Sequence, residues 1–302
     1  MAVDVHGILL LDKPLHLSSA GAVARVKWLF NARKAGHTGS LDPLATGMLP
    51  ICFGEATKFG AQLLDADKSY RVRVRLGERT ASADRESPVI ETRELPPFTR
   101  EELEAAMARF PRQYEQTPPM HSAIKQEGKP LYEYARAGIV RERVARTVTL
   151  HELRVLDWAS PELSFDVRCT KGAYIRVLAE DLAAHLGTIG HLAALRRTGV
   201  TPFLTEPIHE ISTLEGLDMA QKVRMLLPVD AALQGWPQFD LPEAAVSAIR
   251  QGQPFSVGPD WTPQTQGFVR MYAAGAGFLG LGEIEGGMLK PQRLISAHAN
   301  RA

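Results

Sequence analysis

The sequence predicts an α+β fold that ends in a small, separate β-rich domain. Residues 70–76 alternate strictly between apolar and arginine side chains, which is the period of a half-buried strand. A capping box that begins at Thr99 opens a helix over 99–110, with an apolar stripe along one side. From about residue 236 onward, a short helix and several short strands follow a connection that contains several prolines. Helices and strands therefore mix over most of the chain, and strands dominate its last part.

The first helix is predicted to begin at a capping serine, Ser18 or Ser19, and to end at about Ala32. Its apolar side chains recur at helical spacing, and Gly36 lies just beyond its end. The segment 36–49 is therefore expected to be a loop that leads from this helix into an apolar strand.

Strand 70–76 places three arginines on one face and Tyr70 on the other. A solvated outer face is the ordinary role of such arginines, and a stripe that contacts nucleic acid is the alternative. Tyr70 is expected to point inward from the start of the strand, where a core tyrosine would have its hydroxyl satisfied.

The stretch 121–150 is strongly basic. It holds six Lys and Arg residues against three Glu residues, beside Tyr132 and Tyr134. Such a segment could grip phosphates while the tyrosines stack, or it could form an exposed basic helix with the tyrosines in its apolar seam. Composition alone leaves both interpretations open.

A strand over Leu163–Cys169 is predicted to lead into a helix that ends before Gly187. Arg176 falls near the junction between the two elements. An isolated arginine is usually a surface residue, but a guanidinium at such a junction is well placed to hold a carboxylate through two hydrogen bonds. A helix over about 242–250 and a hairpin turn at Glu285–Met288 complete the predicted elements.

Composition places the chain among ordinary globular proteins. Its 302 residues can bury a large core and divide into two domains, and 45% of them are hydrophobic. The 35 basic residues nearly cancel the 34 acidic ones, so total charge does not indicate a polyanionic partner. The first apolar run is short and follows an acidic residue, which argues against a signal peptide or a membrane span. A cytoplasmic protein is expected.

Cysteine and histidine usage indicates neither a disulfide framework nor a metal site. Cys52 and Cys169 lie in apolar, strand-like runs, where buried and inert thiols are the usual case. The nine histidines are scattered, and neither an H-x-x-x-H nor a C-x-x-C motif occurs. No metal is expected.

The most informative segment is the loop Gly36–Leu49, which sets Asp42 between two glycine-bearing turns. Pro43 disfavours helical geometry at Asp42, and the glycines permit tight turns or the close approach of a ligand. A carboxylate held out in this way suits a ligand site, and an Asx-turn is the structural alternative. A phosphate-binding loop is disfavoured because Ser40 and Met48, not lysine, follow the candidate glycines.

Seven motifs occur in order along the chain: Leu11–Pro14 with Ser18–Ser19, Gly36–Leu49, Lys68–Arg71, Gln116–Lys125, Leu131–Arg136, Lys171–Arg176 and Leu195–Arg197. Together they resemble the TruB family of bacterial tRNA pseudouridine-55 synthases. This chain departs from the residues usual in the family at His16–Leu17, Ser40, His121 and Ala173, and these positions bear on the local shape of the RNA surface.

The resemblance implies a pseudouridine synthase fold, in which helices and loops flank a mixed, mainly antiparallel sheet. It also implies a small β-barrel-like PUA domain at the C-terminal end. We therefore expect a catalytic domain over 1–235, with an RNA-gripping insertion at about 112–150, and a PUA-like RNA-binding domain over 236–302.

The resemblance also assigns roles to individual side chains. Asp42 would be the catalytic carboxylate, Arg176 its ion-pair partner, and Tyr70 a stacking group that takes or relays a proton. His37 would fill the space left by an everted base, with a loop-stabilising histidine as the alternative. The remaining substrate-binding assignments are Leu195 and Tyr174 at the base, and Lys13 in the supporting shell.

Pseudouridine formation is an isomerisation, so the resemblance implies neither a cofactor nor a metal. The partner would be the T-stem-loop of tRNA, bound by a monomer without a membrane or an obligatory protein partner. Two alternatives stay open: a guide-RNA-dependent pseudouridine synthase subunit, and a non-catalytic RNA-binding protein or RNA chaperone.

Overall fold

The computed structural model describes residues 2–258 and 266–296, and one large sheet forms the frame of this part of the chain. The helices are α1 (Ser19–Leu29), α2 (Gly60–Asp65), α3 (Arg100–Arg109), α4 (Leu131–Arg136), α5 (Ile175–His185), α6 (Ile211–Glu215), α7 (Met219–Arg224) and α8 (Glu243–Arg250). The strands are β1 (Gly7–Lys13), β2 (Ala35–His37), β3 (Ala45–Phe53), β4 (Lys68–Leu76), β5 (Glu78–Thr80), β6 (Val89–Thr92), β7 (Gln113–Gln116), β8 (Lys125–Gln126), β9 (Lys129–Pro130), β10 (Arg146–Ala159), β11 (Glu162–Cys169), β12 (Gly190–Val200), β13 (His209–Glu210), β14 (Gln238–Leu241), β15 (Phe255–Ser256), β16 (Gly267–Ala273), β17 (Gly277–Glu285) and β18 (Met288–Leu294).

The large sheet is mixed and mainly antiparallel, as predicted. Its strand order is β13-β1-β3-β12-β4-β11-β10-β7, and β2 pairs with β3 outside this path. Within the described part of this sheet, only the β1–β13 and β3–β12 pairs run parallel. The β12 strand therefore joins the two halves of the sheet, with β3 on one side and β4 on the other.

Three helices cover one face of this sheet and form its main core. The apolar side of β4, from Tyr70 to Leu76, packs in one buried cluster with residues of α1, α3 and α5. Each fully buried leucine or valine contributes about 1.5–3 kcal/mol relative to an exposed one. This core fixes the start of α5, and with it the position of Arg176.

Capping side chains set the helix starts where the sequence indicated them. Ser18 Oγ accepts a hydrogen bond from the Gly21 N–H at the start of α1, and the Thr99 capping box opens α3. The α1 helix ends at Leu29, earlier than the predicted Ala32. The reason is that Asn31 has a positive φ of 47°, and Ala32 then forms a bridge with Val3.

The arginine face of β4 is a salt-bridged surface. Arg71 pairs with Asp166 at 3.1 Å and Arg73 pairs with Glu162 at 3.5 Å, both across the β4–β11 ladder. These pairs are exposed and contribute little stability each. Their presence favours the solvated-face interpretation over a nucleic-acid stripe.

The C-terminal part forms a curled five-stranded sheet in the order β14-β16-β17-β18-β15, with its own buried cluster. It also packs on the rest of the chain, where the ring centroids of Phe59 and Phe278 lie 5.6 Å apart. The predicted hairpin is present as β17 and β18. Positions 259–265 and 297–302 of the predicted 236–302 region lie outside the described residues.

Both cysteines are buried and free, as predicted from their apolar surroundings. In the described ranges, every helix is too short or too polar to cross a membrane.

Candidate active site

The loop between β2 and β3, residues 38–44, is tied to its surroundings on several sides. Ser19 Oγ donates to the Leu41 carbonyl at 3.0 Å and accepts from the Leu41 N–H at 2.8 Å. The His16 N–H donates to the Pro43 carbonyl at 2.8 Å. The first turn of α1 and the loop before it therefore hold the backbone on both sides of Asp42.

The turn at Asp42 closes through its backbone, because the Ala45 N–H donates to the Asp42 carbonyl at 3.0 Å. The backbone thus closes this turn, and the Asp42 carboxylate is free of the role that it would have in an Asx-turn. It points toward α5 instead, where Arg176 Nε lies 3.0 Å from Asp42 Oδ2. The pairing implied by the family resemblance is thus present between two residues far apart in the sequence.

The two members of this pair differ in exposure. The Asp42 side chain is 43% exposed, whereas the Arg176 side chain is only 6% exposed. A buried guanidinium that holds a half-exposed carboxylate fixes its direction and leaves part of it free to meet a ligand.

The Arg176 guanidinium is held from three further directions. Nη2 donates to the His121 carbonyl at 2.6 Å, and Nη1 donates to the Ser82 carbonyl at 3.3 Å. Asp84 Oδ2 lies 3.7 Å from Nε, and its side chain is 6% exposed. Asp84 is in turn fixed by Ser82 Oγ and by the Glu86 N–H. Arg176 therefore bridges two carboxylates, one buried and one at the surface of a cavity.

A cavity of about 380 Å³ opens beside Asp42, a volume within the usual range for small-ligand sites. It lies between the 38–44 loop, the start of α5 and the beginning of the basic segment. Its lining includes four of the predicted site residues besides Asp42, namely Tyr70, Tyr174, Arg176 and Leu195, together with Gly39–Leu41, Leu64, Lys68, Ser122–Ile124, Gly172–Ala173, Ile175 and Arg197.

Tyr70 lies in the wall of this cavity and is 8% exposed. Burial raises the pKa of Tyr70 to about 12, although the nearby Arg197 guanidinium opposes that rise. The hydroxyl is therefore protonated at neutral pH. Tyr174 stands at the N-terminus of α5, where its N–H donates to Gln116 Oε1 at 2.7 Å. This bond ties the α5 start to β7, which leads into the basic segment.

His37 and Lys13 do not belong to the residues that line the cavity. His37 ends β2 and pairs with Ile51 of β3; burial, followed by the charge of Arg197, lowers its pKa. Lys13 is fully buried, and its Nζ donates to the Pro14 and Leu17 carbonyls. Burial lowers the pKa of Lys13 to about 8, while the Asp42 carboxylate opposes that shift.

The basic segment contains the short helix α4 and a two-stranded ribbon, β8 and β9. Tyr134 is buried, and the Arg141 guanidinium stacks 4.5 Å from its ring centroid. Arg136 covers Tyr132, which is exposed. One tyrosine thus packs inside the segment, and the other is available at its surface.

Sequence reasoning missed four residues of the site. Asp84 gave no signal beyond an ordinary acidic loop residue. Lys68, Gln116 and Arg197 lay inside three of the recognised motifs but were given no role. Within residues 2–258 and 266–296, no group of three or more His, Cys, Asp or Glu side chains is placed to hold a metal ion.

Comparisons with known proteins show the family and the fold of the chain. Family models match three consecutive stretches: the TruB family pseudouridylate synthase N-terminal domain at 27–175, the tRNA pseudouridylate synthase B C-terminal domain at 176–234, and the pseudouridine synthase II TruB C-terminal model at 237–295. The fold is similar to that of a chain in a Cbf5–Nop10–Gar1 complex, with a TM-score of 0.71, 22% identity, and 96% of this chain and 84% of that chain covered.

Curated relatives match over nearly the whole chain. The tRNA pseudouridine synthase B of Chromobacterium violaceum is 46% identical, with 98% of this chain and 96% of the relative covered. That of Ralstonia nicotianae is 48% identical, with 97% and 95% covered. Fold and family models together define a pseudouridine synthase, an isomerase. The chain belongs to the TruB family of these enzymes.

Proposed function

We propose that the protein converts uridine to pseudouridine in tRNA, at position 55 of the T-loop. The observation that carries the proposal is the half-exposed Asp42 carboxylate, held by buried Arg176 at the edge of a cavity within the usual size range of ligand sites. The family membership and the names of the relatives support the reaction and the class of RNA.

The reaction detaches uracil from its sugar at N1 and rejoins it through C5. Substrate and product are isomers, so no electron or group donor is consumed. One ionised carboxylate suffices as nucleophile or as electrostatic stabiliser at the sugar or the base. We assign this role to Asp42 and assign the orientation of its oxygens to Arg176.

The target uridine lies within a folded loop, so it must leave the stack before it can enter the cavity. Eversion costs a few kcal/mol. We propose that Tyr70 stacks on the everted base while Leu195 and Tyr174 complete its pocket. Lys13 supports the catalytic loop, and His37 fills the space that the base leaves in the T-loop.

We further propose that two parts of the chain grip the RNA outside the base pocket. One is the insertion at about 112–150, which supplies exposed arginines and lysines beside the cavity. The other is an RNA-binding domain over 236–302, which completes a catalytic domain over 1–235. RNA held by its backbone and shape needs little base-specific contact outside the everted nucleotide. We place this activity in the cytoplasm, in a monomer that needs no protein partner.

The proposal is tested with a full-length unmodified tRNA transcript and the purified protein alone. We expect pseudouridine at position 55, mapped by position-resolved chemistry, and none when that uridine is replaced by cytidine. Modification that requires an added guide RNA would instead indicate a guide-dependent subunit. RNA binding without any isomerisation would indicate a non-catalytic RNA-binding protein.

Replacing Tyr70 by Phe keeps the ring and removes the hydroxyl. We expect tRNA affinity close to that of the wild type and a loss of about 10²–10⁴-fold in the single-turnover rate, the range of a positioned proton donor or acceptor. Burial raises the pKa of this hydroxyl to about 12, so it does not titrate near pH 10. The pH profile of the wild-type rate should therefore show no inflection near pH 10 that is missing from the profile of the Phe variant. A fully active Phe variant would limit Tyr70 to stacking.

Replacing His37 by Ala is expected to weaken capture of the everted base. When 2-aminopurine is placed beside the target uridine, its fluorescence rises as the uridine leaves the stack. This rise on binding should be smaller than with the wild type, because no side chain fills the vacated space and the uridine returns to the stack more readily. His151→Ala, which removes a partly exposed pair with Asp67, serves as the control. An unchanged signal from the His37 variant would favour a purely loop-stabilising histidine.

A further inference from the structure

Arg197 is a buried cation to which the described part of the chain offers no acidic partner. Its side chain belongs to β12 and is among the largest fully buried side chains of the chain, at 1% exposure. Within the described residues no carboxylate lies within 4.0 Å of its guanidinium, in contrast to Arg176 and Arg196. Nε donates to the Met48 carbonyl at 2.7 Å and Nη2 donates to the Gly39 carbonyl at 3.0 Å. Buried charges in proteins are ordinarily paired.

The unpaired charge faces the cavity beside Asp42. Arg197 lines the cavity, and its register partner across the β12–β4 ladder is Tyr70, so both side chains lie on the same face of the sheet. The charge of the Arg197 guanidinium opposes the rise that burial causes in the pKa of Tyr70, so the two groups are close enough to interact. An arginine has only donors, so a hydrogen bond between them would use the phenolic oxygen as acceptor and leave the hydroxyl proton free to face a ligand.

A second buried cation lies on the same wall. Lys68 is 7% exposed, lines the cavity, and donates its Nζ to the carbonyls of Leu63, Leu64 and Ala66. The described residues provide it with no carboxylate within 4.0 Å. The part of the cavity lined by Lys68 and Arg197 therefore carries two buried positive charges, although burying them costs free energy.

We propose that Arg197, acting through the Tyr70 hydroxyl and supported by Lys68, stabilises the negative charge that uracil carries while it is detached from the sugar. The inference rests on the proposed function. It names an electrostatic site for the leaving group, separate from the Asp42–Arg176 pair.

The charge follows from the bond accounting. When the N1–C1′ bond breaks, its electron pair leaves with the base, which is a uracil anion until C5 bonds to C1′. The proton on C5 is then lost, and N1 gains a proton, so the overall proton count is unchanged. A donor aimed at developing charge in a site that excludes water is most effective when it is already in place. The Met48 and Gly39 carbonyls hold Arg197 in place.

A purely structural role is the competing explanation, because Arg197 also links the Met48 and Gly39 carbonyls. The two roles respond differently to the leaving group. Fluorine at C5 makes the uracil anion more stable by itself, so that base depends less on an external positive charge. A structural strut would be equally necessary for both bases.

The experiment compares Arg197→Gln with the wild type on two T-stem-loop RNAs, which carry uridine or 5-fluorouridine at the target. We measure the single-turnover loss of the N-linked nucleoside after nuclease digestion. On uridine we expect a loss of about 100-fold, the range for removal of one transition-state donor, and on 5-fluorouridine about 10-fold or less. RNA affinity should not change. Arg71→Met, on the opposite face of β4, is the matched control.

Equal losses on the two RNAs, or no loss on uridine, would overturn the inference. Arg197→Lys keeps the charge and decides the matter if the Gln variant does not fold. We expect the Lys variant to keep the wild-type ratio of rates on the two RNAs. A loss that is larger on uridine than on 5-fluorouridine, although the charge is kept, would contradict the proposal. A wild-type protein that makes no pseudouridine would refute the proposed function itself, before any variant is compared.

Discussion

Replacement of Asp42 by Asn is expected to abolish pseudouridine formation, with a fall of about 10⁴-fold or more in the single-turnover rate. Asparagine keeps the size of the side chain and its place on the rigid loop, but it carries no charge and is a poor nucleophile. The loop itself should stay in place, because Ser19 and the backbone turn at Ala45 hold it independently of the carboxylate.

The measurement pairs a rate with a binding constant. Filter binding should give a dissociation constant for tRNA close to that of the wild type, since one half-exposed carboxylate contributes little to the grip on phosphates. Asp166→Asn, which removes an equally charged group from the opposite face of the sheet, should keep the wild-type rate. Wild-type turnover by Asp42→Asn would remove this residue from the mechanism.

Replacement of Arg176 by Met is expected to lower both activity and stability. The rate should fall by about 10²–10³-fold, because the Asp42 carboxylate loses the group that orients it. Stability should fall by about 3–5 kcal/mol, because the change leaves Asp84 buried without its cation. The half-exposed Asp42 carboxylate can be hydrated when Arg176 is removed, so its lost ion pair adds little to the fall in stability.

A double variant separates the two effects. Adding Asp84→Asn to Arg176→Met removes the uncompensated buried charge, so urea unfolding should show part of the lost stability restored. The rate should stay low, because Asp42 still has no partner. Recovery of the rate together with stability would mean that Arg176 acts only on the fold. Equal stability of the wild type and the single variant would contradict the assigned burial cost.

Local rules predicted most of the fold. The alternation over 70–76, the capping box at Thr99 and the hairpin at Glu285–Met288 each depend on residues close together in the sequence. The structure contains all three. The end of α1 was misplaced because the chain leaves the helix at Asn31 through a backbone angle that no side-chain pattern announced.

Contacts between distant segments could not be predicted from local spacing. The approach of Arg176 to Asp42 came from the family resemblance, since neither residue signals its partner through local spacing. Asp84 joins the site only because the loop around Ser82 runs beside β12, which brings it under Arg176. Such placements follow from packing, which residue spacing alone does not determine.

Arg197 illustrates the same limit. Arg196 and Arg197 are neighbours in strand β12, so their side chains point to opposite faces of the sheet. The motif that contains them did not indicate which arginine faces inward, nor that the inner guanidinium has no carboxylate within 4.0 Å among the described residues. That fact requires knowledge of what β3 and β4 present on the same face. Gly47 of β3 lets the two strands approach closely beside Arg197, because a Cβ there would lie 2.2 Å from the Arg197 carbonyl oxygen.

Tritium release from tRNA labelled at C5 of its uridines tests the central claim most directly. Joining C5 to C1′ requires that this position lose its hydrogen to water. With Asp42 as the catalytic carboxylate, the wild type should release one tritium per tRNA from the T-loop and Asp42→Asn should release none, although both bind the RNA. Release by the Asn variant at the wild-type rate would contradict the account.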